Sequence, residues 1–334
     1  MAGAKGALTG IWSRSGRLYA ASFSCAASLI FGLSGPARSE TDPPEPQPRS
    51  TERDPEIVVV APEPRYVAPT RFDRIGRIWV PVLINGRGPF RLVLDTGASQ
   101  SAVNADVAAA LGIALPTTDT VLLSGATGSR VVSAIPVNSV VVGDVDLRDK
   151  RLPIVNDPLG GADGVMGTEG LLDKRIRVDF GQDRISVRHS HRERAPEGFL
   201  VIPVDIKDGL LVVEDAMVSG IPARVIIDTG AQGTIANEAL RRTLRRRLRP
   251  EGIRPSQVTG VTSDVQSGDT LVIPEMVLGQ MRISPFEVTI GDLYIFQRWR
   301  MTRSATIILG MDVLGLVDTL IIDFDRRELQ IRMH

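Results

Sequence analysis

The feature that most constrains this chain is an internal repeat at an offset of about 133 residues. GPFRLVLDTGASQSAVNADV at 88–107 lies over IPARVIIDTGAQGTIANEAL at 221–240 without a gap. Asp95, Thr96, Gly97 and Ala98 thereby fall on Asp228, Thr229, Gly230 and Ala231, Asn104 on Asn237, and Leu111 on Leu244. Later landmarks keep the same order: IPVNSVVVG at 135–143 with IPEMVLG at 273–279, ADGVMG at 162–167 with ATIILG at 305–310, and RVDFGQDRISV at 177–187 with LIIDFDRRELQI at 320–331. Ordered self-similarity on this scale implies two copies of one structural unit. The copies are expected over 77–190 and 197–334.

Within each copy, short β-branched runs such as WVPVLING, FRLVLDTG, ARVIIDTG and TLIIDFD are broken by Gly, Pro, Asn and Asp. Runs of this length between turn residues read as strands, so an all-β class is expected. Helical periodicity is clearest in NEALRRTLRRRL at 237–248, where Leu240, Leu244 and Leu248 make one apolar stripe and the other face carries arginines. That face is read as solvated, or as a contact for anionic lipid, envelope polymer or an acidic partner.

The repeated unit itself carries chemistry. An apolar strand (RLVL, RVII) delivers an aspartate at its end, and a glycine lets the chain turn sharply so that the carboxylate stays beside backbone amides. An acid at the end of a buried strand costs solvation and is a poor stability device. If the lobes pair about an approximate two-fold axis, Asp95 and Asp228 face each other across it. Two carboxylates so close share a proton, one serving as base to a water and the other as acid to a substrate oxygen. Such a pair hydrolyses a carbonyl substrate without metal, cofactor or covalent intermediate, and a peptide bond is the expected substrate.

VLDTGAS with DGVMG, and IIDTGAQ with IILGMD, resemble the two motif sets of the aspartic peptidases, and more narrowly a retropepsin-like enzyme in single-chain, two-lobe form. The resemblance covers both copies and leaves out residues 1–75. It implies an acid-protease fold of two closed-barrel-like lobes, with Asp95 and Asp228 catalytic and Thr96, Gly97, Thr229 and Gly230 supporting them. It also implies glycine-containing flaps over the cleft about thirty residues after each aspartate: Gly125, Ala126, Thr127 and Gly128 in the first copy, and Gly260, Val261 and Thr262 in the second. The only tyrosines are Tyr19, Tyr66 and Tyr294, so the pepsin flap tyrosine has no counterpart, which favours the retropepsin-like group. Ala98 and Ala231 stand where pepsins often carry a hydroxyl. Losing that bond to an ionised carboxylate moves the expected optimum toward neutrality.

The ends and the balance of the chain set the remaining expectations. Lys5, Arg14 and Arg17 precede the apolar run LYAASFSCAASLIFGLS, and small residues follow, the pattern of an export signal over 1–37. As a helix the run would span about 25 Å, short of a roughly 30 Å bilayer core. The expected location is therefore periplasmic or secreted, with a membrane anchor as the alternative. Residues 38–76 are Pro-rich and read as a linker. Lys+Arg and Asp+Glu both number 39, which gives no reason to expect nucleic acid. Cys25 alone excludes a disulfide framework, and His189 with His191 lack a third clustered ligand, so no metal is expected. Both lobes lie in one chain, so a monomer acting on a protein or peptide is expected, with a transient membrane or envelope contact. The alternatives are an inactive peptide-binding or scaffolding protein on the same fold, and an interaction module recruited by the arginine-rich helix.

Overall fold

The computed structural model describes residues 68–69, 77–156, 160–245 and 252–333. The apolar leader, nearly all of the linker, and the stretch after Arg245 that would complete an arginine-rich helix to residue 248 lie outside them. Among the described residues no helix is long and apolar enough to cross a membrane.

Two kinds of strand follow from two kinds of sequence. Trp79–Ile84 alternates, burying Val80, Val82 and Ile84 while Leu83 faces solvent, as a strand with one covered face should. Arg87–Leu94 and Ile221–Ile227 instead end in continuous buried runs, Leu92 to Leu94 and Val225 to Ile227. Both are covered on two faces, Leu92, Leu94, Val225 and Ile227 packing into the main core while Val93 and Ile226 pack into smaller clusters on the other side, and both pair in parallel with a distant segment of their own lobe. Leu92, Val93 and Leu94 lie opposite Gly164, Val165 and Met166, and Val225, Ile226 and Ile227 lie opposite Ile307, Ile308 and Leu309. The apolar-apolar-glycine motifs are therefore the parallel partners of the aspartate-bearing strands.

The lobes are β-rich and pseudo-symmetric, but two expectations are corrected. Each sheet is an open, curled half-barrel whose strand order runs from edge to edge without closing, and among the described residues four short helices accompany the strands. The strand after each aspartate turn is two residues long: Ala102–Val103 ends its sheet, whereas Ile235–Ala236 lies inside its own, between Phe286–Ile290 and Thr306–Leu309. Asn104 and Asn237 stop these strands by capping the helices α1 (Ala105–Leu111) and α2 (Glu238–Leu244), accepting at 3.0 Å from the amides of Val107 and Leu240. Leu240 and Leu244 of the expected stripe are buried. Two further helices, α3 (Tyr294–Arg298) and α4 (Met311–Leu314), belong to the second lobe.

A six-stranded sheet joins the lobes, in the order Ala68–Pro69, Arg184–His189, Lys174–Asp179, Thr319–Asp323, Glu328–Arg332 and Leu200–Pro203. Its central seam is the antiparallel pair of Lys174–Asp179 with Thr319–Asp323, in which Arg175 stands opposite Asp323. The Arg175 guanidinium donates to Asp323 Oδ2 and to Gln330 Oε1, both at 2.7 Å, and Ser190 Oγ donates to Asp323 Oδ1 at 2.8 Å. Both charges are almost fully buried, so their worth lies in mutual satisfaction. Replacing Asp323 with Ala leaves the buried Arg175 cation with only the longer, part-exposed contact to Glu193 at 3.7 Å. The expected loss is about 3–5 kcal/mol of unfolding free energy in urea titrations, whereas an Arg175→Met/Asp323→Leu double variant should lose less than the single one.

Candidate active site

The two aspartates close their strands in the same way. Asp95 N–H donates to Met166 O at 2.9 Å and Asp228 N–H to Leu309 O at 3.0 Å, extending the parallel ladders by one bond. Gly167 and Gly310 follow those partner strands and lie against the backbone of Gln100 and Gly233. A Cβ there would sit 2.5 and 2.6 Å from main-chain carbons, so the motif requires glycine.

The turns then interlock. Thr96 Oγ1 donates to Ile227 O and Thr229 Oγ1 donates to Leu94 O, each at 2.7 Å across the lobe boundary. In return Thr229 N–H donates to Thr96 Oγ1 at 3.1 Å, and Thr96 N–H to Thr229 Oγ1 at 3.2 Å. Both threonines are wholly buried, so each bond counts and none is shared with water.

This lattice presents the carboxylates to each other. Gly97 N–H donates to Asp95 Oδ1 at 2.8 Å; Gly230 and Ala231 N–H donate to Asp228 Oδ1 at 2.9 and 3.1 Å. The Asp95 carboxylate lies directly over Gly230, two residues from its counterpart: a Cβ at Gly230 would sit 2.2 Å from Asp95 Cγ. Burial, and then the charge of Asp95, push the Asp228 carboxyl well above the usual range against the pull of its two amide donors.

A second pair of supports has the same repeat spacing and is not apparent from the aspartate motifs alone. In the second lobe Asp312 accepts from the amide and hydroxyl of Thr234, both at 2.8 Å, and Thr234 Oγ1 accepts from Gly310 N–H at 3.2 Å. Burial raises the Asp312 carboxyl above its ordinary value, and the Thr234 bonds oppose the shift. In the first lobe Ser101 N–H donates to Glu169 Oε1 at 2.8 Å, while Ser101 Oγ accepts from Gly167 N–H at 3.2 Å. Ser101 falls on Thr234 in the repeat, and Glu169 and Asp312 each stand two residues after their glycine. That coincidence is the signal by which the sequence could have named them.

The glycine-containing segments are the tips of two hairpins, between Thr120–Ser124 and Ser129–Val142 in the first lobe and between Arg254–Thr259 and Val265–Ile273 in the second. The tips meet: Gly260 N–H donates to Thr127 Oγ1 at 3.0 Å. Each also packs into the opposite lobe, fully buried Ala126 among Leu210, Ile226, Ile235 and Phe296, and Val261 among Val93, Ala98, Ala102 and Val165. Ala126 O additionally accepts from Ile295 N–H of α3 at 3.0 Å. Gly125, Gly128 and Thr262 complete the tips, and buried Thr262 Oγ1 has no hydrogen-bond partner.

Two half-barrels that bring matching Asp-Thr-Gly turns together on a pseudo-two-fold axis define the acid-protease class of fold. A family model described as "Aspartyl protease" matches residues 80–170 and 214–313, more than half of the chain, and the chain belongs to that family. Among solved structures it is similar to the crystal structure of aspartic proteinase from Irpex lacteus, at 12% identity and TM-score 0.49, covering 80% of this chain and 97% of that one. No curated protein matches the chain. The family supports a hydrolytic, peptide-binding protein of the aspartic type, acting on a protein or peptide.

The raised Asp228 carboxyl has a consequence for stability. Above the ordinary carboxylate range the unfolded chain loses this proton while the folded one keeps it, so the group lowers stability as pH rises toward its folded value. Asp228→Asn removes the effect while retaining an acceptor oxygen for Gly230 and Ala231. Its melting temperature should exceed wild type at neutral pH, with the gap closing as pH falls below the ordinary aspartate value. Thermal melts across pH check this, and a constant gap would overturn the shift.

Proposed function

We propose that the protein is a retropepsin-like aspartic endopeptidase in which Asp95 and Asp228 share one proton. The observation that carries the reading is the seating of the Asp95 carboxylate against Gly230 beside a buried Asp228. With one carboxyl ionised and one protonated, a water gives its proton to the ionised group as its oxygen adds to the peptide carbonyl. The protonated group gives its proton to the carbonyl oxygen. Collapse of the tetrahedral diol breaks the C–N bond as the nitrogen takes up a proton, releasing an acid and an amine. The pair titrates as a unit, so neither aspartate is assigned one role.

Binding follows from what surrounds the dyad. Asp228 Oδ2, Ser124 Oγ, Gln232 Oε1 and Thr262 Oγ1 are buried without a hydrogen-bond partner. These are polar groups on the aspartate turn and the hairpins that an extended peptide would satisfy. Substrate entry requires the hairpin tips to part, breaking the Thr127–Gly260 bond and withdrawing Ala126 and Val261 from the opposite lobes. Their apolar sites then become the natural seats for substrate side chains. The absence of a flap tyrosine and the alanines at 98 and 231 support the retropepsin-like reading and an optimum nearer neutrality than pepsin's. We place the two-lobe unit, 77–190 with 197–334, outside the cytoplasm behind an export leader over 1–37 and a linker over 38–76.

Asp95→Asn and Asp228→Asn should each lower cleavage of a peptide library by roughly 10²–10⁴-fold while the fold persists, read by mass spectrometry over a range of pH. Unchanged cleavage in either variant would overturn the dyad. Peptide affinity without cleavage by wild type at any pH would establish the scaffolding alternative instead.

A further inference from the structure

The second lobe carries a segment that the first lacks. Between its aspartate and its apolar-apolar-glycine motif the second copy is longer, and α3 with the following residues 299–305 fills the difference. The Asn237 side chain, besides capping α2, donates to Met301 O at 2.6 Å and Ser304 O at 2.7 Å, and Arg242 reaches Thr302 O at 3.5 Å. Helix α2 and the inserted segment therefore form one continuous surface.

That surface carries an excess of basic charge. Arg242 on α2 and Arg245 at its C-cap, with Arg298, Arg300 and Arg303 on the insertion, make no ion pair with any carboxylate among the described residues. Arg242, Arg245, Arg300 and Arg303 are exposed. Elsewhere on the molecule arginines are mostly matched, as in Arg91–Asp163, Arg188–Glu193, Arg224–Glu214 and Arg326–Glu328. The acids nearby are fewer than the arginines: Glu238 and Asp269 pair with Arg241, and Asp292, which lines one cleft with Glu238 and Arg242, meets only the neutral Gln297 amide at 3.5 Å. Half-buried Trp299 lies among the arginines, its ring packed against the cluster that holds Ile295, Phe296 and Met301.

We propose that this face docks on an anionic phospholipid surface. Guanidinium groups are weakly hydrated and pair with phosphate in a bidentate fork, and a tryptophan that is half apolar, half wet suits the headgroup layer. A basic face contributes about 1 kcal/mol per residue at an anionic leaflet. Alone, such a face binds reversibly and in a salt-sensitive way. Ile295 of the same insertion holds the tip of the first hairpin, so the docked face lies beside the cleft.

The test is sedimentation of the full-length chain with phosphatidylcholine vesicles, with and without phosphatidylglycerol. Because the apolar run Leu18 to Ser34 acts on both vesicle types, the readout is the excess on anionic ones. Wild type should show an excess of more than about tenfold that collapses at high salt. The combined Arg242→Glu, Arg298→Glu, Arg300→Glu and Arg303→Glu variant should lose it, and the corresponding lysine variant should keep a substantial part. Equal partitioning of wild type onto both vesicles overturns the proposal without reference to any variant. So does an excess that survives charge reversal in a variant with native near-UV circular dichroism. Arginine-dependent retention on single-stranded nucleic acid without an anionic-vesicle excess would also overturn it and reassign the face.

Discussion

Everything at the centre of this molecule depends on the reciprocal hydrogen bonds between Thr96 and Thr229. Each hydroxyl donates to a carbonyl of the other lobe and accepts an amide from it, so four bonds cross the boundary within two residues. Singly such bonds contribute about 1 kcal/mol, but leaving a buried donor or acceptor unmade costs more. A small rotation of one lobe would orphan all four at once, and this fixes the separation of the aspartates. The Arg175–Asp323 pair secures the same boundary in the joining sheet by a comparable logic: two buried charges that tolerate each other only in register.

On this symmetric base stands an asymmetric upper structure. A peptide has direction, so a strictly two-fold site would bind it in two equivalent ways, and only differences between the lobes can favour one. Ser99 falls on Gln232, Ser101 on Thr234, and Glu169 takes the place of Asp312. The tip of the first hairpin is held both by the second hairpin, through Thr127, and by the inserted helix, through Ala126 O. No equivalent helix supports the second tip from the first lobe among the described residues. The hairpins therefore close over one dyad with unequal supports, and the insertion ties the cleft to the outer surface of the second lobe.

What could be read from the sequence was whatever the repeat wrote twice. The aspartate turns, their threonines and the apolar-apolar-glycine motifs appear at matched positions, and the need for each is local: a strand end, a tight turn, a backbone too close for a Cβ. The open form of the sheets was not legible, because whether the two edges of a curled sheet meet is set by the course of the whole sheet, and no local motif records it. Helix α3 escaped notice for another reason. Five residues, Tyr294 to Arg298, are too few to display a helical period, and what makes them a helix is the burial of Ile295 and Phe296 under Ala126 of the other lobe. Contacts between lobes leave no periodic trace in either one.

The same distinction between sum and arrangement governs charge. Equal numbers of acidic and basic residues make the chain formally neutral, and a neutral sum argues against polyanionic partners only if the charges are mixed. Here they are not evenly mixed. Carboxylates are spent on particular arginines in the joining sheet and along the strands, and on backbone amides at the aspartate turns. Arg242 of α2, Arg245 just beyond it and the arginines of the insertion are left over, on a face built in part by the stretch in which the second copy is longer than the first. An arginine cluster with fewer acids than cations is costly to maintain, and packing does not require it, since the insertion is already held by Asn237, Ile295 and Phe296. An external anion supplies the missing term, in the part of the molecule where the two copies differ most.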